Sequence, residues 1–284
     1  MPQLMPDPAE SQLPQSAPAR LPAPPSAALL GVDLARIDYR GALDWIDAAI
    51  AAGTREYICV AATHTVMACA EDPQLLDAVR GASMTVPDGQ PLVWALRALG
   101  RGEGLNGRVY GPELMARACE RAAGSGTRMF LYGGRNQGAL VQLTANLRAR
   151  YPGLQIVGGY VPPFRPLTAD EEATVIAEVA RSRANIVWVG IGVPKQEKWM
   201  AVMRPRLAAP VLIGVGAAFD FHAGLIPQAP GWIQVAGLEW AYRLAREPRR
   251  LWRRYLRYNP LFVLGVVRAW ARHVRGRRRS ASSG

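Results

Sequence analysis

Short apolar runs alternate with helix-length segments along most of the chain. The runs are rich in Val, Ile and Leu and are bounded by Gly, Pro or Asp, a pattern typical of buried strands. They span residues 57–61, 84–86, 129–132, 155–157, 186–190 and 211–215. This alternation predicts an α/β fold with a mostly parallel sheet flanked by helices.

Two of the intervening segments carry clear helix start signals. Pro112 lies where a helix running to about Ala123 should begin. Thr168 and Glu171 form a capping box for a helix that should end near Arg183. Ligands of parallel sheets bind beyond the carboxyl ends of the strands, so polar residues directly after the apolar runs are candidates for function.

The two ends of the chain differ from this α/β body, which we assign to residues 28–231. Residues 1–27 contain eight prolines with Ala, Ser and Gln, and they lack the basic and apolar regions of a signal peptide. This composition predicts a disordered leader. From residue 232 the pattern is helical, and we expect helices at 234–245, 248–257 and 260–274 in an appendage of residues 232–276. Residues 277–284 are predicted to form a disordered tail.

Charge is concentrated in the appendage and tail. The chain has 34 Lys and Arg against 22 Asp and Glu, a net charge of +12. From Arg243 onward there are 13 arginines and one acid, Glu247, so this segment accounts for the whole excess. Residues 243, 246, 250, 253 and 257 would form one helical stripe if the helix continued across Pro248, which is doubtful.

Such an arginine stripe has three interpretations: a solvated face, a nucleic-acid surface, or a surface for anionic lipid and pyrophosphate. Interleaved aromatic residues and the apolar segment 260–264 favour lipid. The apolar stretch 260–267 has eight residues, whereas a membrane-spanning helix needs about 20, so no transmembrane helix is predicted. The three cysteines, Cys59, Cys69 and Cys119, show no metal-binding spacing and indicate a reducing compartment.

Asp88 and a glycine pair follow two of the predicted strands. Asp88 could accept a proton from a substrate hydroxyl, or its carboxylate could cap the next helix. Gly133 and Gly134 could let backbone N–H groups approach a phosphate, or they could be ordinary turn glycines.

Further candidates follow later strands. Lys195 and Lys198 are the only lysines of the chain, and Lys195 with Gln196 could reach a diphosphate or a sugar, or could be solvated at a helix start. Asp220 could hydrogen-bond a base or ribose, whereas His222 is more typical of a structural hydrogen bond. His64 lacks the neighbours that a metal site would need.

Several of these segments, in this order, resemble the WecG/TagA/CpsF family of bacterial glycosyltransferases. The matching segments are V-P-D-G-Q-P-L-V-W at 86–94, R-V-Y-G-P-E-L-M at 108–115, G-V-P-K-Q-E-K-W at 192–199, G-V-G at 214–216 through Asp220, L-E-W-A-Y-R-L at 238–244 and E-P-R-R at 247–250. The resemblance extends from about residue 31 to residue 257. It implies a Rossmann-like core with a C-terminal appendage.

The resemblance also implies a function in cell-surface polysaccharide biosynthesis: inverting, metal-independent transfer of a sugar, without a cofactor, to a polyprenyl-diphosphate-linked saccharide. The implied donor is a nucleotide sugar, a UDP-linked hexose or N-acetylhexosamine. Such an enzyme would act as a peripheral protein on the inner, cytoplasmic face of the membrane. By resemblance, Asp88 is the base, Gln196 contacts the donor or the reacting sugar, and Asp220 lies in the nucleotide pocket. Arg243, Arg250 and Arg253 match appendage arginines that serve the acceptor diphosphate or catalysis.

The remaining assignments are less specific. Gly133, Gly134 and Lys195 could stabilise the leaving diphosphate. Family members often carry Thr and Asn after the first strand, where this chain has Thr63 and His64, and either could make the missing contact. The alternative function is a nucleotide- or nucleic-acid-binding module without transferase activity. The pattern does not identify the sugar, and a homo-oligomer whose appendage covers a neighbour's cleft is one way to complete the site.

Overall fold

The computed structural model describes residues 21–281, with side chains described for residues 21–275. Residues 1–20 of the predicted leader and residues 282–284 of the predicted tail lie outside this range. Within it the strands are β1 (Ser26–Leu29), β2 (Val32–Ala35), β3 (Glu56–Ala61), β4 (Met84–Pro87), β5 (Arg128–Gly133), β6 (Gln155–Tyr160), β7 (Ile186–Gly190) and β8 (Val211–Gly214).

Helices connect and flank these strands. They are α1 (Tyr39–Ala52), α2 (Thr63–Cys69), α3 (Pro73–Arg80), α4 (Gln90–Ala98), α5 (Gly111–Ser125), α6 (Gln137–Arg150), α7 (Ala169–Ser182), α8 (Lys195–Met203), α9 (Ala218–His222), α10 (Gly231–Val235), α11 (Glu239–Arg246) and α12 (Pro248–Ala281). The capping box of Thr168 and Glu171 begins α7 as predicted. Pro112 lies in the first turn of α5.

Six parallel strands form the main sheet, in the order β4-β3-β8-β7-β5-β6. All six predicted strands are confirmed, with ends that shift by a few residues, and so is the predicted α/β fold. Five of these strands are almost wholly buried because helices cover both sides of a parallel sheet, whereas the edge strand β6 is partly exposed. On β3, Ile58 and Val60 pack into the core on one face, whereas Tyr57, Cys59 and Ala61 pack into the core on the other.

An antiparallel hairpin of β1 and β2 precedes the sheet and was missed by the sequence analysis. Its turn residues Leu30 and Gly31 have φ values of 51° and 91°, the left-handed pair that a tight two-residue hairpin turn requires. The boundary predicted for the leader at residue 27 was therefore wrong, because β1 begins at Ser26. The preceding residues also contact the core: the Leu21 N–H donates to Glu56 Oε1 at 3.2 Å.

The appendage differs from its prediction in two respects. The helix expected at 234–245 is two helices, α10 and α11, separated at Gly237, which has a φ of 67°. The helices expected at 248–257 and 260–274 are one helix, α12, which continues through Pro260 to Ala281. Proline removes one backbone N–H, but buried Tyr255 and Phe262 on either side of it pack the helix against the core.

The arginine stripe across Pro248 does not exist as one helical face. α11 ends at Arg246 and α12 begins at Pro248, so Arg243 and Arg250 belong to different helices. Their proximity comes from the packing of α11 on α12. The C-terminal boundary also differs, since α12 covers residues 277–281, where the sequence predicted a disordered tail. Among residues 21–281, no helix is both long and apolar enough to cross a membrane.

Candidate active site

A cavity of about 330 Å³ lies where β3, β4 and β8 end. Its floor comes from residues directly after these strands, and its roof comes from α11 and α12, which places it between the α/β core and the appendage. The lining includes Thr63, His64, Asp88, Gly89, Tyr110, Gln196, Val215, Gly216, Glu239, Trp240, Arg243, Arg250, Arg254 and Tyr255. This is the crevice beyond the carboxyl ends of parallel strands, where ligands of such sheets bind.

Asp88 follows β4 and holds the start of α5. Its Oδ1 accepts a hydrogen bond from the Gly111 N–H at 2.7 Å, and its own N–H donates to the Ala61 carbonyl at 2.8 Å. Gly111 is packed closely here, since a Cβ there would lie in van der Waals contact with Val60 Cγ1 at 3.4 Å and Asp88 Oδ1 at 3.6 Å. Asp88 therefore does cap a helix, although the helix is α5 and not the adjacent α4. Its other oxygen remains available to a ligand.

The environment of Asp88 favours a carboxyl group that can exchange a proton near neutral pH. Burial raises its pKa from 3.8 to about 6, against the lowering effect of the Gly111 hydrogen bond. Glu239 raises this pKa further, and the positive charges of Arg108 and Arg243 lower it. The raised pKa makes the ionised carboxylate of Asp88 a stronger base. Proton transfer is most efficient when the pKa of the base lies near the working pH.

Three arginines of the appendage, Arg243, Arg250 and Arg254, also line the cavity. Arg243 Nε is buried without a hydrogen-bond partner among the described residues, and its guanidinium carbon lies 5.7 Å from the centre of the Phe221 ring. Glu247 accepts from Arg250 at 2.7 Å and lies 3.8 Å from Arg243. Glu247 thus orients the guanidinium groups of Arg243 and Arg250. Together with Arg254, these groups suit the binding of a diphosphate.

His64 lines the cavity beside these cations. Burial and the charges of Arg254 and Arg243 lower its pKa from 6.5 to about 3, so the imidazole is neutral at physiological pH. Its Nε2 is buried and has no partner among the described residues. Thr63 lies next to it, and a Cβ on Gly89 would be 3.7 Å from Thr63 Oγ1. Both side chains that follow β3 are thus placed at the ligand space.

Gln196 is buried at the start of α8, and its amide fills the space left by two glycines after β8. A Cβ on Gly214 would lie 3.2 Å from Gln196 Nε2, and one on Gly216 would lie 3.4 Å from Oε1. Gln196 Nε2 donates to Glu197 Oε1 at 2.7 Å. Gly214, the last residue of β8, therefore leaves room for the side chains of Gln196 and Met200.

The family model of the glycosyl transferase WecG/TagA/CpsF family matches residues 27–276. The chain belongs to this family. It is also 29% identical, over 205 residues, to a protein of Bacillus subtilis (strain 168) named N-acetylglucosaminyldiphosphoundecaprenol N-acetyl-beta-D-mannosaminyltransferase. That alignment covers 71% of this chain and 75% of the relative. The resemblance recognised in the motifs is therefore confirmed.

In this WecG/TagA/CpsF glycosyltransferase, the cavity brings together six of the residues singled out in the sequence: Thr63, His64, Asp88, Gln196, Arg243 and Arg250. Others lie elsewhere. Lys195 is exposed, while Lys198 pairs with Asp72 at 2.7 Å. Arg253 is exposed, with its guanidinium 5.2 Å from the Trp252 ring. Lys195 and Arg253 were predicted to contact ligand phosphates, and neither lines the cavity.

Gly133 is the last residue of β5 and Gly134 follows it, and both lie against the backbone of the neighbouring strand β7. Gly133 has a φ of 132°, and a Cβ there would lie 2.6 Å from the Gly190 backbone of the neighbouring strand. The Gly134 N–H donates to the Gly190 carbonyl at 3.2 Å. Asp220, placed by resemblance in the nucleotide pocket, is held by Arg135 through two hydrogen bonds of 2.9 and 3.1 Å. None of these three residues lines the cavity.

Arg254, Tyr110 and Glu239 line the cavity and were missed as site residues. Glu239 forms a salt bridge with Arg108, which also donates to Gln234 Oε1 at 2.9 Å, so this cluster joins the core to the appendage. No local signal distinguishes Arg254 from exposed Arg253, because only the packing of α12 decides which side chain faces inward. Among the described residues, no three His, Cys, Asp or Glu side chains are grouped to hold a metal ion.

Proposed function

We propose that this glycosyltransferase moves a sugar, with inversion, from a UDP-linked hexose or N-acetylhexosamine to a polyprenyl-diphosphate-linked saccharide. The observation that carries the proposal is the position of Asp88 in the cavity: a partly buried carboxyl with a raised pKa lines the same ligand space as three arginines. The name of the Bacillus relative supports a lipid-diphosphate acceptor and an N-acetylmannosaminyl donor for that protein. Membership of the same family supports related chemistry for this chain.

The proposed reaction is a single displacement. Asp88 takes the proton from an acceptor hydroxyl as the oxygen attacks the anomeric carbon on the face opposite the leaving nucleoside diphosphate. One carboxylate suffices, because a nucleoside diphosphate leaves without a general acid. The glycosidic bond forms as the bond to the diphosphate breaks, and the proton stays on Asp88.

The leaving diphosphate gains charge as this bond breaks, and fixed positive groups stabilise it. Arg243 and Arg254 line the cavity for this role, and neither depends on a divalent cation for its charge. We therefore propose metal-independent catalysis without a cofactor. The expected result is unchanged turnover after extensive treatment with EDTA, whereas loss of turnover that Mg²⁺ or Mn²⁺ restores would contradict this part of the proposal.

The test of the catalytic assignment is Asp88→Asn. The asparagine oxygen can still accept the Gly111 hydrogen bond, so the start of α5 is retained and only the base is lost. Transfer should fall by about 10² to 10⁴, while the Kd for UDP, measured by calorimetry, should change less than about twofold. Asp33→Asn, at an exposed position on β2, is the matched control. Full activity of Asp88→Asn would refute the assignment.

The stereochemistry has its own test. The anomeric configuration of the product, determined by NMR, should be opposite to that of the sugar donor, because one displacement inverts the reacting carbon. A product that retains the donor configuration would require a second carboxylate as nucleophile and would contradict the proposed mechanism.

We further propose that α12 holds the enzyme on the anionic inner face of the cytoplasmic membrane. Leu256, Val263 and Val267 are 65%, 60% and 54% exposed, and their spacing places them on one face of the helix. Exposed Trp252 and Trp270 extend this stripe at both ends. Aromatic and apolar residues beside arginines suit the headgroup boundary of a bilayer.

Vesicle co-sedimentation tests this surface. Full-length protein should pellet with vesicles that contain phosphatidylglycerol and much less with pure phosphatidylcholine, and salt should weaken the binding. A double variant with Gln at positions 256 and 267, neither of which lines the cavity, should lose most of this binding while it retains UDP affinity. Equal sedimentation of the wild type and the variant would contradict the assignment.

A further inference from the structure

Two adjacent polar side chains, Gln196 and Glu197, are buried beside the cavity at the start of α8. Gln196 is 2% exposed and lines the cavity, whereas Glu197 is fully buried and lies behind it. Glu197 raises the pKa of the Cys59 and Cys69 thiols, which places its carboxyl toward the β3 side of the core. Among the side chains described, none forms a salt bridge with Glu197, so its contact with Gln196 is unusual.

The chemistry of the carboxylate determines how the Gln196 amide is oriented. An ionised carboxylate accepts hydrogen bonds and donates none, so the amide must present its NH₂ group to Glu197, as the 2.7 Å contact from Nε2 to Oε1 shows. The amide oxygen then points to the other side, next to Gly216, which lines the cavity. This oxygen is buried and has no partner among the described residues.

An unpaired buried amide oxygen costs about 1–3 kcal/mol. A ligand that donates a hydrogen bond to it removes that cost, whereas a phosphate oxygen has no proton to donate at neutral pH and would leave it unpaired. Gly214 helps to maintain the arrangement, because a Cβ there would lie 2.7 Å from Met200 Cε and 3.2 Å from Gln196 Nε2. The unpaired oxygen of Gln196 therefore favours contact with the sugar of the donor over contact with its diphosphate.

We propose that Glu197 is a positioning residue that fixes the carbonyl oxygen of Gln196 toward the ligand, where it accepts a hydrogen bond from a hydroxyl or amide N–H of the donor sugar. This inference rests on the proposed function and deepens it. In this proposal the donor sugar donates a hydrogen bond to Gln196 Oε1, and the arginines that line the cavity bind the diphosphate.

A kinetic double-mutant cycle tests the inference, with Glu197→Gln, Gln196→Leu and the double variant. The assays use UDP-N-acetylmannosamine as donor at pH 8, where Glu197 is ionised, because burial raises its pKa to about 7. Glu197→Gln removes the obligatory acceptor, so the amide is free to turn. The KM for the donor should rise about tenfold, by analogy with the lower end of the effect of residues that orient metal ligands, while the Kd for UDP alone stays within about twofold.

The coupling between the two residues is the decisive readout. Gln196→Leu should raise the donor KM by a similar factor, and adding Glu197→Gln to it should have no further effect, because Glu197 acts through Gln196. Glu172→Gln, at a surface carboxylate paired with Arg206, is the matched control and should leave KM unchanged. If Glu197→Gln folds poorly, Glu197→Asp, which keeps the charge but draws the acceptor back from Gln196 Nε2, replaces it in the cycle with the same expected results.

Three outcomes would overturn the inference. The first is additive effects in the double variant, the second is an equal loss of affinity for UDP and for the UDP-sugar, and the third is an unchanged donor KM in both single variants. If the wild type binds UDP but turns over no UDP-sugar, the proposed function fails and this inference fails with it. If the wild type is active and only the cycle gives a contrary result, the positioning role alone fails.

Discussion

Replacement of Asp88 by Asn should stabilise the fold at neutral pH even as it removes activity. The folded protein raises the pKa of this carboxyl from 3.8 to about 6, mainly by burial. A raised carboxyl pKa opposes stability once the group ionises: the penalty is absent below pH 3.8, grows as the pH rises from about 4 to 6, and is complete above 6. Asparagine at this position has no such penalty.

The size of the effect follows from the two pKa values. A gap of about two pH units corresponds to about 3 kcal/mol at pH 8. Asp88 lines a cavity that water can enter, so we expect about 1–3 kcal/mol after screening is allowed for. The Gly111 hydrogen bond adds nothing to the difference, because the asparagine oxygen accepts it as well.

Urea denaturation of the wild type and Asp88→Asn at pH 8 and at pH 4.5 measures this difference. The variant should be more stable at pH 8, and its advantage should shrink to about a third at pH 4.5, where the wild-type carboxyl is mostly protonated in the folded state. Asp33→Asn should change the free energy of unfolding by no more than about 0.5 kcal/mol at either pH. A variant that is less stable at pH 8, or whose advantage is independent of pH, would refute the burial argument.

Three further results are expected. The kcat/KM for transfer should rise through a single ionisation near pH 6, and a profile that is flat from pH 5 to 8 would contradict Asp88 as the base. Arg254→Gln should lower kcat/KM about 10- to 100-fold and Arg253→Gln less than about threefold, since only Arg254 lines the cavity; equal losses in steady-state assays would contradict this placement. Glu239→Gln should loosen the appendage by leaving the largely buried charge of Arg108 unpaired, and hydrogen exchange should show faster exchange in residues 231–246; unchanged exchange would contradict the role of this ion pair.

The sequence pattern predicted the core well because its signals are local. Each of the six sheet strands is a run of apolar residues bounded by turn residues, and a parallel strand buried on both faces needs nothing more to be recognised. The start of α7 was readable for the same reason, since its capping box lies within four consecutive residues. The β1–β2 hairpin was missed because its strands are short and its turn pairs Leu30, an unusual residue for a positive φ, with Gly31.

The candidate site was only partly predictable. Asp88 and Gln196 were singled out because they directly follow strands or lie in a motif, and the structure brings both to one cavity. Local sequence could not show that Asp88 caps α5, a helix that begins 23 residues later in the chain. Nor could it distinguish the inward Arg254 from the outward Arg253, since both occur in the same basic run.

The sequence by itself determined the family, the parallel sheet and the placement of the whole net charge in the C-terminal segment, because motif, periodicity and charge are properties of residues close together in the chain. Only the tertiary structure decided which of those charges face a ligand. α11 and α12 are separate helices, and their packing over the ends of β3, β4 and β8 selects Arg243, Arg250 and Arg254 from the arginines available. That selection, and the burial that raises the pKa of Asp88, depend on contacts between residues far apart in the chain.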